Sequence, residues 1–197
     1  MRTQHDGRVL VVRNLISQAE CDDLKNWALE NSSTQFVDGV SGNWDTKEFT
    51  RVKTRLTNRM VGDKIAYPEL VYSIQNRLRE TFPLITNAEV IRGHGKDGVV
   101  VSITYNDGDV YKHKDPAVNA QVPDTVALRF NILVSKAETG GLIHVEDKTY
   151  DLNEGDLMAY LVSEYYHSVD QCFGDNPRIL FMFGFCAAKD AWENQAQ

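Results

Sequence analysis

His113 and Asp115 stand two residues apart in the stretch Tyr105-Asn-Asp-Gly-Asp-Val-Tyr-Lys-His-Lys-Asp115. In an extended chain, residues i and i+2 point to the same side with Cα atoms roughly 7 Å apart. An imidazole and a carboxylate placed this way can converge on one cation. His167, in Tyr165-Tyr-His-Ser-Val169, is the candidate third ligand from a distant strand. Two imidazoles and one carboxylate form a facial triad, the donor set suited to non-haem Fe(II) with three positions left open. Arg178 follows across the turn Gly174-Asp-Asn-Pro177. A hairpin there places it beside His167, facing the same interior. A buried arginine heading an apolar strand needs an anionic partner. A carboxylate held bidentately satisfies it, and an ion pair with Asp170 or Asp175 is the purely structural alternative.

Further polar and aromatic residues compete for roles around such a centre. Tyr105 and Tyr111 read either as site residues or as core aromatics. Arg129 and Asn131 alternate with Phe130 in Leu128-Arg-Phe-Asn-Ile132, so both face one way; inward they line a pocket, outward they are surface. Arg51, Lys53 and Arg55 share one face of an expected strand, either a solvated charged face or a patch that meets an anionic substrate. Trp44, just before that strand, either closes over a substrate or packs. His144 reads as a rival third ligand or a substrate contact, or more simply as a strand histidine facing outward, the preferred reading. The Asp151-x-Asn153 start of a calcium-like loop ends at Val162 where an EF-hand needs its closing glutamate, so no calcium site is expected.

The elements that position these residues follow from pattern. Arg8–Arg13 reads as a strand. Ser17-Gln-Ala-Glu20 is a capping box, and Cys21, Leu24 and Ala28 continue at helical spacing, predicting a helix over 18–31. Residues 32–46 are polar and Gly-containing, hence expected loop, and a second helix is predicted from Pro68. From about residue 98 the texture is short β-rich segments: Val99–Tyr105, Val126–Val134, Leu142–Val145, Lys148–Leu152, Leu157–Leu161, Tyr166–Asp170 and Arg178–Phe185. Many short strands with regular turns predict a jelly roll, with the N-terminal helices covering one sheet.

Composition narrows the class. The 197 residues carry 21 Lys+Arg against 28 Asp+Glu, a formal net charge of −7, and 42% are hydrophobic, enough for one sizeable core. One domain spanning 1–197 is expected, with 1–97 as helical support and substrate-side segment and 98–186 as catalytic core. A net-acidic chain makes a poor nucleic-acid partner. No apolar run reaches membrane-span length. The polar start and the odd count of 3 cysteines point to a reducing, cytoplasmic setting rather than a disulfide framework.

The ordered set His113-x-Asp115, His167 and Arg178 resembles the prolyl-4-hydroxylase-like branch of the 2-oxoglutarate/Fe(II)-dependent dioxygenases. Asn14–Leu24, Gly140-Gly141, Gly155-Asp156-Leu-Met-Ala-Tyr160 and His167-Ser-Val169 extend the likeness over nearly the whole chain. One residue rather than two separates Tyr111 from His113, and Leu142 stands where an acidic residue is usual. The resemblance implies a double-stranded β-helix, mainly β with supporting helices. It implies Fe(II) held by His113, Asp115 and His167, and 2-oxoglutarate held by Arg178 and Tyr105. Arg55 matches a position near the substrate entrance; Tyr111, Arg129, Asn131 and Trp44 are the remaining substrate-side candidates. The implied reaction consumes O2 and 2-oxoglutarate, with ascorbate as a reductant, and hydroxylates an unactivated C–H with release of succinate and CO2. The present Asp115 favours hydroxylation over halogenation. The expected substrate is a small or amino-acid-like, anionic molecule. The alternatives are a prolyl or other side-chain hydroxylase acting on a peptide, and a non-catalytic cupin-like binding module; the acidic balance argues against a nucleic-acid demethylase.

Overall fold

The computed structural model describes residues 2–43, 48–57, 65–83, 85–90, 98–115, 125–188, 190 and 192. The chain opens with antiparallel strands β1 (Arg2–His5) and β2 (Val9–Arg13). Helix α1 (Gln18–Gln35) starts at the capping box: the Ser17 hydroxyl accepts from the Glu20 N–H at 3.3 Å, and the Glu20 carboxylate accepts from the Ser17 N–H at 2.8 Å. Its buried face carries Cys21, Leu24 and Ala28.

The expected loop over 32–46 differs from what forms. The helix runs on to Gln35, and its polar side chains bond back onto it: the Asn31 amide donates to the Trp27 carbonyl at 2.8 Å and the Ser32 hydroxyl to the Leu29 carbonyl at 2.9 Å. Strand β3 (Val37–Asn43) then pairs with β4 (Glu48–Leu56). Its Gly- and Ser-rich sequence has little strand propensity, so the partner strand supplies the order. Helix α2 (Glu69–Thr81) begins directly after Pro68 and buries Val71, Ile74 and Leu78.

The remaining strands are β5 (Ile85–Val90), β6 (Val99–Thr104), β7 (Val110–His113), β8 (Thr125–Ser135), β9 (Thr139–Gly140), β10 (Ile143–Val145), β11 (Lys148–Tyr150), β12 (Leu157–Leu161), β13 (His167–Val169), β14 (Cys172–Phe173) and β15 (Arg178–Ala188). Among the described residues the large sheet runs β1-β2-β12-β8-β15-β6-β4-β3, with β5 also on β15. The small sheet runs β11-β10-β13-β7, and β9 pairs with β14. The described pairings are antiparallel.

Period-2 alternation along the large sheet divides its side chains between two cores. Leu128, Phe130 and Ile132 of β8 and Ile179, Phe181 and Phe183 of β15 face Leu24, Val71, Ile74 and Leu78 of the helices. Val9, Val11, Met158, Tyr160, Leu133 and Leu180 face the other way, onto Ile143 and Val145 of the small sheet. The helices therefore cover the outside of the large sheet, and the site lies in the space between the sheets.

One element of the Gly155-Asp156 pair is structural. Asp156 is fully buried and accepts from Arg13 Nη1 at 2.6 Å, Asn14 N–H at 3.0 Å and Asn153 N–H at 2.8 Å. Gly155 has φ +82°, and a Cβ there would lie 2.5 Å from the Ile16 carbonyl oxygen. The pair thus welds the entry to α1 onto the start of β12.

Candidate metal centre

β7 and β13 are antiparallel neighbours in the small sheet, and their register sets His113 directly opposite His167. The two rings lie 4.3 Å apart. Asp115, two residues beyond His113, is tied back by its own N–H, which donates to the Val162 carbonyl at 3.0 Å. The ligand atoms of all three side chains lie within 4.8 Å of one another. His113 Nε2 is 3.3 Å from Asp115 Oδ1, and His167 Nε2 is 3.8 Å from the same oxygen.

Each imidazole is oriented in the same way. His113 Nδ1 is 2.7 Å from the Tyr111 carbonyl and His167 Nδ1 is 3.1 Å from the Tyr165 carbonyl, in both cases two residues upstream. A carbonyl only accepts, so each Nδ1 carries a proton, and Nε2 is the nitrogen each ring turns to the centre, the one a metal would take in place of a proton. That is the tautomer a metal ligand needs.

Electrostatics separate the three groups. Burial pushes the His167 pKa down to about 4, with His113 opposing a second charge nearby. For His113, burial works in the same direction, but the hydrogen bonds to Asp115 and to the Tyr111 carbonyl outweigh it and raise the pKa. Burial alone would raise Asp115; Arg129 and the two imidazoles overcome it and hold the carboxyl well below the usual range. The centre thus offers one firm carboxylate and two imidazoles whose Nε2 atoms converge on it.

Arg178 opens β15 on the interior face, paired with Thr104 of β6. Its side chain is buried, and its Nε–H donates to the Gly141 carbonyl at 3.0 Å. Its Nη2 is buried and has no hydrogen-bond partner among the described residues. Desolvation pulls its pKa down, the signature of a cation held away from water. Among the described residues neither Asp170 nor Asp175 forms an ion pair with it: Asp170 accepts from the Leu142 N–H at 2.6 Å, and the Asp175 N–H donates to Glu138 at 3.0 Å. Gly141 makes room for it. At φ +69° this residue adopts a backbone that favours glycine, and a Cβ would lie 3.0 Å from Arg178 Cδ.

The other candidates divide. Arg129 and Asn131 face the interior, and Arg129 Nη2 reaches Asp115 Oδ2 at 2.5 Å. Asn131 is 2% exposed. Tyr111 is 46% exposed and lies on the His113 side of β7. Tyr105, expected beside Arg178, instead packs against the helix-side core, with its N–H donating to the Lys53 carbonyl at 2.7 Å. Arg55, expected at a substrate entrance, pairs in register with Ile103 and so points to the helix side. There its Nε lies 3.3 Å from Asp38 Oδ1 and its Nη2 donates to the Phe36 carbonyl at 3.2 Å. Trp44 lies outside the described residues. His144 faces away from the centre between Ile143 and Val145, 3.6 Å from Asp170 and 2.9 Å from Thr149.

Two interior residues went unmarked by sequence reasoning. Tyr160 is buried with its ring edge-on to His167 at 5.2 Å, and burial pushes its phenol pKa up. Thr104 is buried beside Arg178, its hydroxyl 3.4 Å from that of Thr54. Alternation from Arg129 and Arg178 across the strand pairs would have found both.

No protein-family model and no curated protein matches the sequence. Solved structures match the fold. A viral collagen prolyl hydroxylase from Paramecium bursaria Chlorella virus-1, in complex with 2-oxoglutarate, aligns with a TM-score of 0.64 at 14% identity over 91% of this chain and 96% of that one. HygX from Streptomyces hygroscopicus, with nickel and 2-oxoglutarate bound, aligns at 0.61 and 12% identity over 90% and 82%. A Pseudomonas putida prolyl-4-hydroxylase aligns at 0.58 and 10% identity over 91% and 92%. At these identities the likeness establishes the fold: the double-stranded β-helix, with helices on the outside of the large sheet.

Proposed function

We propose that the protein is a 2-oxoglutarate- and Fe(II)-dependent oxygenase, a hydroxylase of the prolyl-4-hydroxylase-like branch. The observation that carries this reading is one interior that brings together His113, Asp115 and His167 and also a buried Arg178 with an unsatisfied Nη2. A metal triad alone has many uses. A triad with a buried, anion-seeking arginine on the facing sheet suits a metal-chelating dicarboxylate.

The residues fit both groups. His113 Nε2, His167 Nε2 and Asp115 Oδ1 would hold the metal, with both tautomers already set by backbone carbonyls. Arg178 would take the distal carboxylate of 2-oxoglutarate, and that carboxylate would satisfy Nη2. The Gly141 carbonyl holds Arg178 Nε, so the guanidinium is aimed before the ligand arrives. Thr104, paired with Arg178, adds a hydroxyl to the same end. Bound together, Fe(II) and 2-oxoglutarate would activate O2, the oxidant: two of the four electrons it accepts would come from oxidative decarboxylation of 2-oxoglutarate to succinate and CO2, which takes up one oxygen atom, and two from the substrate C–H, which takes up the other. The chain's share is placement, and the apolar interior of Met158, Leu133 and Leu180 keeps water from the reacting atoms.

On the substrate side the reading is a small or amino-acid-like molecule entering past Tyr111, which stands exposed next to the ligand face of β7. The test is a succinate-release screen over amino acids, short prolyl peptides and small metabolites, with product mass. Succinate release coupled to a gain of one oxygen in an amino acid or metabolite supports this reading. Turnover confined to prolyl peptides would move the substrate to the peptide class. No succinate release together with no metal binding would leave a non-catalytic binding module.

A further inference from the structure

The two oxygens of Asp115 have different neighbours. Oδ1 faces both imidazoles, at 3.3 and 3.8 Å. Oδ2 is 2.5 Å from Arg129 Nη2. The main chain at Asp115 is anchored by its N–H, which donates to the Val162 carbonyl at 3.0 Å. The Arg129 and Asp115 side chains are only 14% and 18% exposed, so solvent and salt screen the pair weakly. Arg129 is fixed in turn by β8, where it pairs with Tyr160 of β12 on one side and Gly184 of β15 on the other.

This division bears on coordination number. A carboxylate that turns both oxygens to an octahedral ion chelates it and fills two positions. With His113 and His167 that would fill four, leaving room for a bidentate 2-oxo acid and nothing else. With Oδ2 committed elsewhere, Asp115 would fill one position and leave three open, which is what a two-histidine, one-carboxylate oxygenase site needs. A lysine or a water could bind Oδ2, but a planar guanidinium anchored on a central strand holds it in one direction.

We propose that Arg129 is a positioning residue that keeps Asp115 a monodentate metal ligand, rather than a residue that reads the substrate. The inference rests on the metal reading given under Proposed function. Its test is the metal-induced infrared difference spectrum of the full chain with isotope-labelled aspartate carboxyls, using Ni(II) as the probe and no co-substrate. A monodentate carboxylate separates its antisymmetric and symmetric stretches more widely than a chelating one. The wide separation is expected in the wild type, a narrowed one in R129Q, and the wide one again in R129K, which keeps the cation. R129M, whose stem matches the neighbouring Met182, carries the same expectation as R129Q and is read if R129Q does not fold. A wide separation retained in the folded, Ni(II)-loaded glutamine or methionine variant overturns the proposal. Failure of the wild type to bind Ni(II) at all overturns the metal reading itself and this one with it, an outcome distinct from a Ni(II)-loaded variant with an unchanged spectrum.

Discussion

His113 and His167 face each other across the β7–β13 pairing with their rings 4.3 Å apart, and each turns Nδ1 to the carbonyl two residues before it. One register therefore aims two ligands with one repeated device. A slip by a single residue would carry either ring to the other face of the sheet.

Arg178 is expected to govern 2-oxoglutarate affinity and leave metal affinity alone. R178M keeps the stem but loses the charged donors, and hydrogen bonds to a charged group contribute about 1.5–3 kcal/mol. The expected result is a roughly ten- to hundredfold rise in the 2-oxoglutarate Kd, measured calorimetrically on Ni(II)-loaded protein, with Ni(II) affinity within a few-fold of wild type. Equal 2-oxoglutarate affinity would remove Arg178 from the co-substrate.

Gly141 bears on the same affinity through Arg178. In G141A the alanine must adopt φ +69°, at a cost of about 1–2 kcal/mol, and its Cβ crowds Arg178 Cδ and Cys172 Sγ. A lower Tm and weaker 2-oxoglutarate binding are expected together. A lower Tm with unchanged binding would show that Arg178 tolerates the shift.

Asp156 is expected to matter for stability and not for chemistry. Removing it leaves Arg13 and two backbone N–H groups without their shared acceptor. Breaking a buried pair costs about 3 kcal/mol at the low end, the end that applies because Arg13 is partly exposed. Denaturant unfolding of D156A should show a loss of that order, with Ni(II) and 2-oxoglutarate affinities of the folded protein unchanged. Wild-type stability would contradict the assigned role.

The metal-free protein should lose stability in acid partly through His167. Above pH 6.5 the ring is neutral whether folded or not and contributes no pH dependence. Below that, the unfolded chain takes up a proton that the folded chain refuses until about pH 4, so stability falls across that window. H167Q removes this titration. Its Tm, followed from pH 7 to pH 4 beside wild type in a chelator, should fall less steeply; parallel curves would mean His167 protonates freely in the fold.

Much of this was legible beforehand because it rests on local period. His113 and Asp115 share a side of an extended segment, and Ser17 and Glu20 announce α1. What was not legible depends on which strands pair and in what register. The turn through 174–177 does not close the expected hairpin beside His167; it carries the chain from β14 into β15 of the facing sheet, paired with β6 and β8, and Arg178 reaches the interior from there. Arg55 looked as though it belonged to the pocket, yet pairing with Ile103 turns it to the helices. Tyr105 sits one residue past β6, where the turn to Gly108 takes it into the helix-side core. Thr104 and Tyr160 carry no signal as residue types; only their partners Arg178 and Arg129 mark them. Arg129 was visible as an inward candidate, but its hold on Asp115 needed the third dimension.

The central claim is that His113, Asp115 and His167 bind Fe(II) in the same interior where Arg178 holds 2-oxoglutarate. Anaerobic addition of Fe(II) and 2-oxoglutarate, followed by visible absorption, tests it most directly, because the metal-to-ligand charge-transfer band arises only when the 2-oxo acid chelates the iron. The wild type should develop the band, and D115A should lose it or keep a small remnant. No band in the wild type, or an undiminished band in D115A, would contradict the claim.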